Sequence, residues 1–317
     1  MKRAFTIIEL LVVVGIIAVL MGALLVATGG ATESARAAKC LANLRSLAAA
    51  VNSAAMEHNH YPCAGSYEYT DFDTSGQKVK TICKEKVGWI SWLSNKGDPY
   101  GKQPGAKPPT SHQSIEICPF YGTGNLHDDI YAITNGSIWK ATGCNMNVYV
   151  CPSHVKYRQD KSRKPPLWSY VMNSWFGYDR TQGSKSIAEE YKEYGKVARA
   201  DRRLLFAEIP MVRMQNGKAI DNPDGEEYEC DCTLQFKATV DGKKYGGSWD
   251  GTPEEIGFNH VIGKRGRCGH VAYADGHVDK VTYSDKGLTP EELTALLCGG
   301  VDVALGEAGW QKAHGQD

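Results

Sequence analysis

Cys151-Pro152-Ser153-His154 sets a thiol three residues from an imidazole, the side-chain types from which a nucleophile and its base are built. Spacing alone does not join them, because the base must lie within hydrogen-bond reach. The plainer expectation is a strand-end turn beside a paired cysteine. Farther along, His260, Cys268, His270 and His277 are all zinc-ligand types. A turn at Asp275-Gly276 would set His270 and His277 two residue pairs apart on facing strands, about 13 Å at ~3.3 Å per residue. The four are therefore not expected to share one ion. Asp221, Asp224 and Glu226 offer hard oxygen ligands for calcium, but without the ligand spacing of an EF-hand loop; a solvated acidic turn is expected there. The sequence thus predicts no enzymatic centre, no cofactor and no metal, with calcium as the weak exception.

A further residue stands out by its surroundings. Glu9 immediately precedes an unbroken run of apolar residues and glycine, Leu10 to Ala27, with Lys2 and Arg3 as the flanking cations. As a helix, that run spans ~27 Å at ~1.5 Å per residue, close to the hydrocarbon thickness of a bilayer. The cations place its amino end on the cytoplasmic side. A secretory signal is the competing reading, supported by Ala35-Arg36-Ala37, but the apolar run exceeds the usual ~7–15 residues and the small-residue pattern lies well beyond it. A simple anchor has no use for Glu9, since a carboxylate reaching the bilayer centre costs up to ~2.5–3.5 kcal/mol. A helix packed beside copies of itself does: Glu9 can neutralise a neighbour's terminal amine. That requires a free amine at Phe5, hence cleavage after Ala4.

The elements that carry these residues follow from periodicity. Gly29-Gly30 is a soft point, beyond which an Ala-rich helix is predicted to continue to Tyr61-Pro62, where proline ends it. Leu41, Leu44, Ala48, Val51 and Ala55, widened by Leu47 and Ala54, form a stripe expected to pack on a head domain. From residue 62 to 317 the pattern changes to short strand-like runs broken by turn residues. Val148–Val150 and Leu204–Ala207 read as strands. Val271–Ala274 and His277–Val281, joined by Asp275-Gly276, read as a hairpin with a two-residue type I′ turn, setting Tyr273 opposite Val278 and an Ala272/Ala274 face against the long helix. Thr289-Pro290-Glu291-Glu292 carries an N-cap, a proline at the first helical position and a capping-box glutamate, for a helix stopping near Gly299. The expected class is α+β: a long N-terminal helix on an antiparallel sheet. Its divisions are 1–4, 5–28, 29–61 and a globular head over 62–317.

Composition agrees with one ordinary head. Lys+Arg and Asp+Glu each number 36 in 317 residues, so no basic footprint for nucleic acid is present. At 42% hydrophobic and 23% charged, the chain is neither disordered nor a multi-pass membrane protein.

Ala4-Phe5-Thr6-Ile7-Ile8-Glu9-Leu10-Leu11-Val12-Val13 resembles the cleavage and methylation motif of type IV pilins and type II secretion pseudopilins. The resemblance implies a basic leader of residues 1–4, a cut by prepilin peptidase between Ala4 and Phe5, and N-methylation of Phe5. It also implies that Glu9 and Phe5 pair between subunits. Ala4 departs from the glycine that the family nearly always has. Cys40–Arg45, Val150-Cys151-Pro152-Ser153, Ser169–Asn173, Leu204–Glu208, His260 and Ala274-Asp275-Gly276-His277-Val278 resemble a processing-associated prepilin subfamily. In that subfamily a His is followed after nine residues by Asp-Gly. Here the interval is longer by about five and takes in Cys268 and His270.

The expected product is a filament subunit of the inner membrane, its amino end cytoplasmic and its head periplasmic, with other pilin-like subunits as partners. In that compartment disulfides persist, and Cys144 with Cys151, flanking the predicted strand, form the first pair to expect among ten cysteines. Zinc held by Cys144, Cys151, Cys230 and Cys232 is the competing reading, better suited to the cytosol. For function, the competing class is a membrane-anchored binding or adhesion module. Its 16 Tyr and 7 Trp would stack on carbohydrate or a surface ligand, though a core uses them equally.

Overall fold

The structure is a computed structural model. It describes residues 7–64, 69–72, 78–82, 88–90, 130, 133–162, 165–177, 179–180, 193–197, 199–215, 218–221, 233–234, 237–240, 243–246, 255–262, 266–282 and 289–299. Helix α1 runs over Ile7–His58, 52 residues or ~78 Å, and passes through Gly29-Gly30 without a break. It stops just short of the predicted proline. Asn59 takes a left-handed φ of 51°, and the His60 N–H donates to the Ala55 carbonyl at 3.1 Å, closing a Schellman turn.

The second half of α1 is one-sided, as the stripe predicts. Leu44, Leu47, Ala48, Val51, Ala54 and Ala55 are buried, while Arg45 and Glu57 are exposed. Leu41 is only partly buried; the stripe instead extends back through Asn43 and Cys40. Asn43 is tolerated there because its amide donates to the carbonyls of Asn147 (3.0 Å) and Val150 (2.8 Å).

The head is built on a six-stranded sheet. In chain order the described strands are β1 (Tyr69–Phe72), β2 (Lys78–Ile82), β3 (Tyr170–Asn173), β4 (Asp179–Arg180), β5 (Leu204–Glu208), β6 (Val212–Gln215), β7 (Lys218–Asp221), β8 (Thr233–Leu234), β9 (Lys237–Val240), β10 (Lys243–Gly246), β11 (His260–Ile262), β12 (Gly266–Tyr273) and β13 (Val278–Thr282). The main sheet runs β11-β12-β5-β3-β8, with β13 on the other edge of β12. All its pairs are antiparallel except β3 with β8. β1-β2-β4, β9-β10 and β6-β7 form small separate sheets. The molecule is α+β, a long helix packed on an antiparallel sheet, consistent with a pilin-like fold.

Both faces of the sheet are covered, so β12 is buried from Cys268 to Tyr273 rather than on alternate residues. α1 lies against β12 and β13, and Asn52 donates to the Ala274 carbonyl at 3.0 Å. The helix Pro290–Gly299 buries Leu293, Leu296 and Leu297 and lies against β5 and β9. Its capping box forms as read: Thr289 N–H donates to Glu292 Oε2 (2.8 Å), and Glu292 N–H to Thr289 Oγ1 (3.1 Å).

Two local expectations are corrected. Val148–Val150 is no strand: Met146–Val148 is a 3₁₀ turn, started by Asn145 Oδ1 accepting from the Asn147 N–H. The hairpin turn has three residues, not two. Ala272 pairs with Val278, the Tyr273 N–H donates to the His277 carbonyl, and Gly276 takes φ 94° as the left-handed bulge residue. Asp-Gly suits this turn as well as the type I′ form, so the dipeptide does not choose between registers.

Gly269 marks the tightest backbone approach in the sheet. A Cβ there would stand 2.2 Å from the Gly257 carbonyl oxygen. Gly269→Ala is expected to cost about 1–3 kcal/mol as β12 and residues 255–259 are forced apart. Thermal denaturation checks this; an unchanged melting temperature would mean that the segment yields freely.

Candidate functional site

A break in strand pairing creates the site. On one edge, β12 pairs with β11 up to His260↔Cys268 and with β5 from Val271↔Ala207. Gly269 and His270 fall between the two partners. Glu208, the last residue of β5, fills the gap: its Oε2 accepts from the His270 backbone N–H at 2.9 Å. Its Oε1 faces His260 Nε2 at 2.9 Å and accepts from the Cys40 thiol of α1 at 3.1 Å. The imidazoles of His260 and His270 stack with centroids 4.0 Å apart. Cys151, at the start of the helix Pro152–Asp160, brings its Sγ to 3.8 Å from His260 Nε2 and hydrogen-bonds Cys40.

The other side of His260 is held as firmly. Its Nδ1 lies 3.2 Å from Glu33 Oε1 and 3.4 Å from Ser153 Oγ, and Ser153 itself donates to Glu33 at 3.1 Å. Tyr170 donates to Cys40 Sγ at 3.4 Å. Cys40, Cys151, Glu208 and His270 are 0% exposed and His260 1%, so these five side chains are sealed between α1 and the sheet, with the half-buried Glu33 at their margin.

The charge states follow from burial and neighbours. Burial alone would raise the Glu208 carboxyl, but the charge and hydrogen bond of His260 hold it down to about 2. Burial opposes the charge on His260; Glu208 overrides this and lifts it to about 11. For His270, desolvation outweighs the attraction of Glu208, the charge of His260 adds to the lowering, and the ring falls to about 4, so it is neutral. Burial pushes the Cys40 thiol well up. Cys151 moves the other way: burial would raise it, but the hydrogen bonds of Cys40 and His260 bring it down.

The side-chain types gathered here are those that ligate a metal. Cys151 does contact a histidine, yet the nitrogen it faces is already engaged by Glu208, and neither group has a face open to a substrate. By contrast, Cys40, Glu208, His260 and His270 each offer a donor atom, and these atoms all lie within 4.8 Å of one another. Cys268 stands at the margin, its Sγ 3.8 Å from His270 Nε2.

Of the four zinc-ligand types not expected to share one ion, the structure brings two together. His260 and His270 come together; His277 does not, being exposed at the turn with Nδ1 2.6 Å from Asp275 and its ring stacked on Tyr273. Asp275 and Gly276 build that turn, and Pro152 occupies the first position of its helix. The Cys144–Cys151 disulfide does not form: both thiols are free, Cys144 exposed and Cys151 turned inward to His260. Without a strand between them, the two do not sit as flanking neighbours. The turn expected at Cys151 is a helix start. Cys63 is disulfide-bonded, its partner outside the described residues. Ala4, Phe5, Asp224, Glu226, Cys230 and Cys232 lie outside the described residues, as does the side chain of Asp221.

Cys40, Glu208 and Glu33 are site residues that the pattern reading did not single out. The signals were present: Cys40 continues the stripe one turn before Leu44, and Glu208 ends the apolar strand Leu204–Ala207.

At the other end of the molecule, the described side chains from Ile7 to Met21 are exposed, with Glu9 in the first helical turn. Among the described residues, no helix is long and apolar enough to cross a membrane; the side chains of residues 22–31 are not among them. Residues 1–25 match the family described as the prokaryotic N-terminal methylation motif. No curated protein and no solved structure matches the chain. The chain thus carries a prepilin-type methylation motif, which implies a pilin-like subunit processed by prepilin peptidase and anchored in the inner membrane.

Proposed function

We propose that the processed chain is a non-enzymatic structural subunit of a type IV pilus-like or type II secretion pseudopilus filament, assembled through the first half of α1. The motif over residues 1–25 carries this reading. The division of α1 supports it: its first described side chains face solvent, Ile7 at 78% and Val19 at 72%, while its second half is buried on the head. An apolar surface of that extent is stable only against lipid or other apolar helices. The amino end is cytoplasmic and the head periplasmic before assembly. The Cys151-Pro152 and His260…Asp275-Gly276-His277 residues support reading the chain as a processing-associated prepilin.

Intact-mass measurement on membrane-extracted protein tests the reading. The expected chain begins at N-methyl-Phe5. A chain beginning at Ala38 would identify an ordinary signal peptide and remove the basis for assembly.

A further inference from the structure

We propose that Cys40, Glu208, His260 and His270 bind a divalent transition-metal ion of the zinc class, with Cys151 as the adjoining thiol, and that the ion fastens α1 to the head sheet. Four ligand atoms from four separate segments converge within 4.8 Å, all on buried residues. A tetrahedral centre with bonds of ~2.0–2.3 Å sets its donors about 3.3–3.8 Å apart, so the widest separation closes by about 1 Å and the hydrogen-bonded pairs at Glu208 Oε1 open slightly. The donor set is thiolate, imidazole and carboxylate, which selects a zinc-like ion over calcium or magnesium.

Three observations go beyond proximity. First, the donors are held from behind, as metal ligands are. Glu33 and Ser153 grip His260 Nδ1, leaving Nε2 directed inward; the His270 N–H holds Glu208 Oε2, leaving Oε1 inward; Tyr170 donates to Cys40 Sγ. Second, His270 Nδ1 is buried and makes no hydrogen bond, standing 3.9 Å from Glu208 Oε2. A buried nitrogen lone pair or N–H without a partner is costly in a purely structural core. Third, the charges balance once the ion is bound: it displaces the protons of the Cys40 thiol and of His260, leaving one thiolate and one carboxylate with two neutral imidazoles to neutralise a dication. Apolar residues would pack this interior without the desolvation cost of stacked imidazoles and a carboxylate. A bound ion accounts for what packing does not.

The site stands independently of filament assembly, since every donor lies in the second half of α1 or the head. Full-length protein purified from membranes without chelator should contain one zinc-class ion per chain by elemental analysis. Exchange with cobalt(II) alone should produce d–d bands and a thiolate-to-cobalt charge-transfer band. Cys40→Ser should abolish the charge-transfer band or shift it to that of Cys151, and His270→Ala should lower metal retention at least tenfold. Cys144→Ser and His277→Ala should leave both signals unchanged. Should the first two variants fail to fold, the cobalt spectrum of the unaltered protein still decides. Chelation should lower the melting temperature by on the order of 10 °C, restored by zinc. Metal below about one-tenth equivalent with no charge-transfer band, or a Cys40–Cys151 disulfide in the purified protein, would overturn the proposal. So would metal retention unaffected by loss of both Cys40 and His270.

Discussion

Glu208→Ala is expected to destabilise the head by about 3–5 kcal/mol, the cost of leaving a buried charge without its partner. Glu208 is fully buried and serves three donors at once: His260 Nε2, the Cys40 thiol and the His270 backbone N–H. Alanine removes the acceptor for all three and opens a void that water cannot easily enter. Of its carboxylate partners His260 keeps Glu33, which is 27% exposed and whose attraction solvent weakens. The loss should persist in chelator-treated protein, because it arises from the protein groups alone. Glu208→Gln, which retains a carbonyl acceptor, should lose less. Chemical denaturation of the detergent-solubilised chain compares these variants with Glu33→Ala. Equal stability of Glu208→Ala and Glu33→Ala would show that the carboxylate does not anchor the cluster.

The second large effect is on assembly and should spare the head. Glu9 sits in the first turn of α1 among exposed apolar side chains. Packed beside other helices in lipid, its charge is tolerable when a neighbour's Phe5 amine pairs with it; a buried charge without a partner would neutralise instead. Glu9→Gln keeps size and helical propensity but removes the charge. Membrane insertion should survive while incorporation into filaments falls, most of it lost. The melting temperature of the head should not move, since its core begins at Cys40, some 30 residues along α1. Shearing and quantifying filaments, with crosslinking between first-half helices, measures the outcome. Normal incorporation would show that the carboxylate is not the assembly contact and would favour a monomeric anchored module with a ligand of its own.

Much of the architecture is readable along the chain because its causes are local. A period of three and four residues identifies the buried face of α1, Tyr61-Pro62 marks its end to within a few residues, and the capping box of Thr289 and Glu292 marks the start of the last helix. The strand Leu204–Glu208 and the hairpin around Asp275-Gly276 follow from apolar runs and one turn dipeptide. The N-terminal motif is legible for the same reason: a leader, an aromatic residue, a glutamate and an apolar run all lie within one short stretch.

The failures share a cause too. Asp-Gly permits two hairpin loops, and only packing against α1 and β5 selects the register that pairs Ala272 with Val278. Cys144 and Cys151 are close in sequence, but a 3₁₀ turn separates their directions and sends Cys151 into the core. The buried cluster lies furthest from sequence view. Cys40 and Glu208 are 168 positions apart, and Glu208 and His260 are 52 apart. Nothing local couples them. They meet because β12 exchanges β11 for β5 at Gly269–His270, and because α1 covers that exchange point. Residue type alone supplied the ligand chemistry; strand pairing and helix docking decided which of those residues share a site.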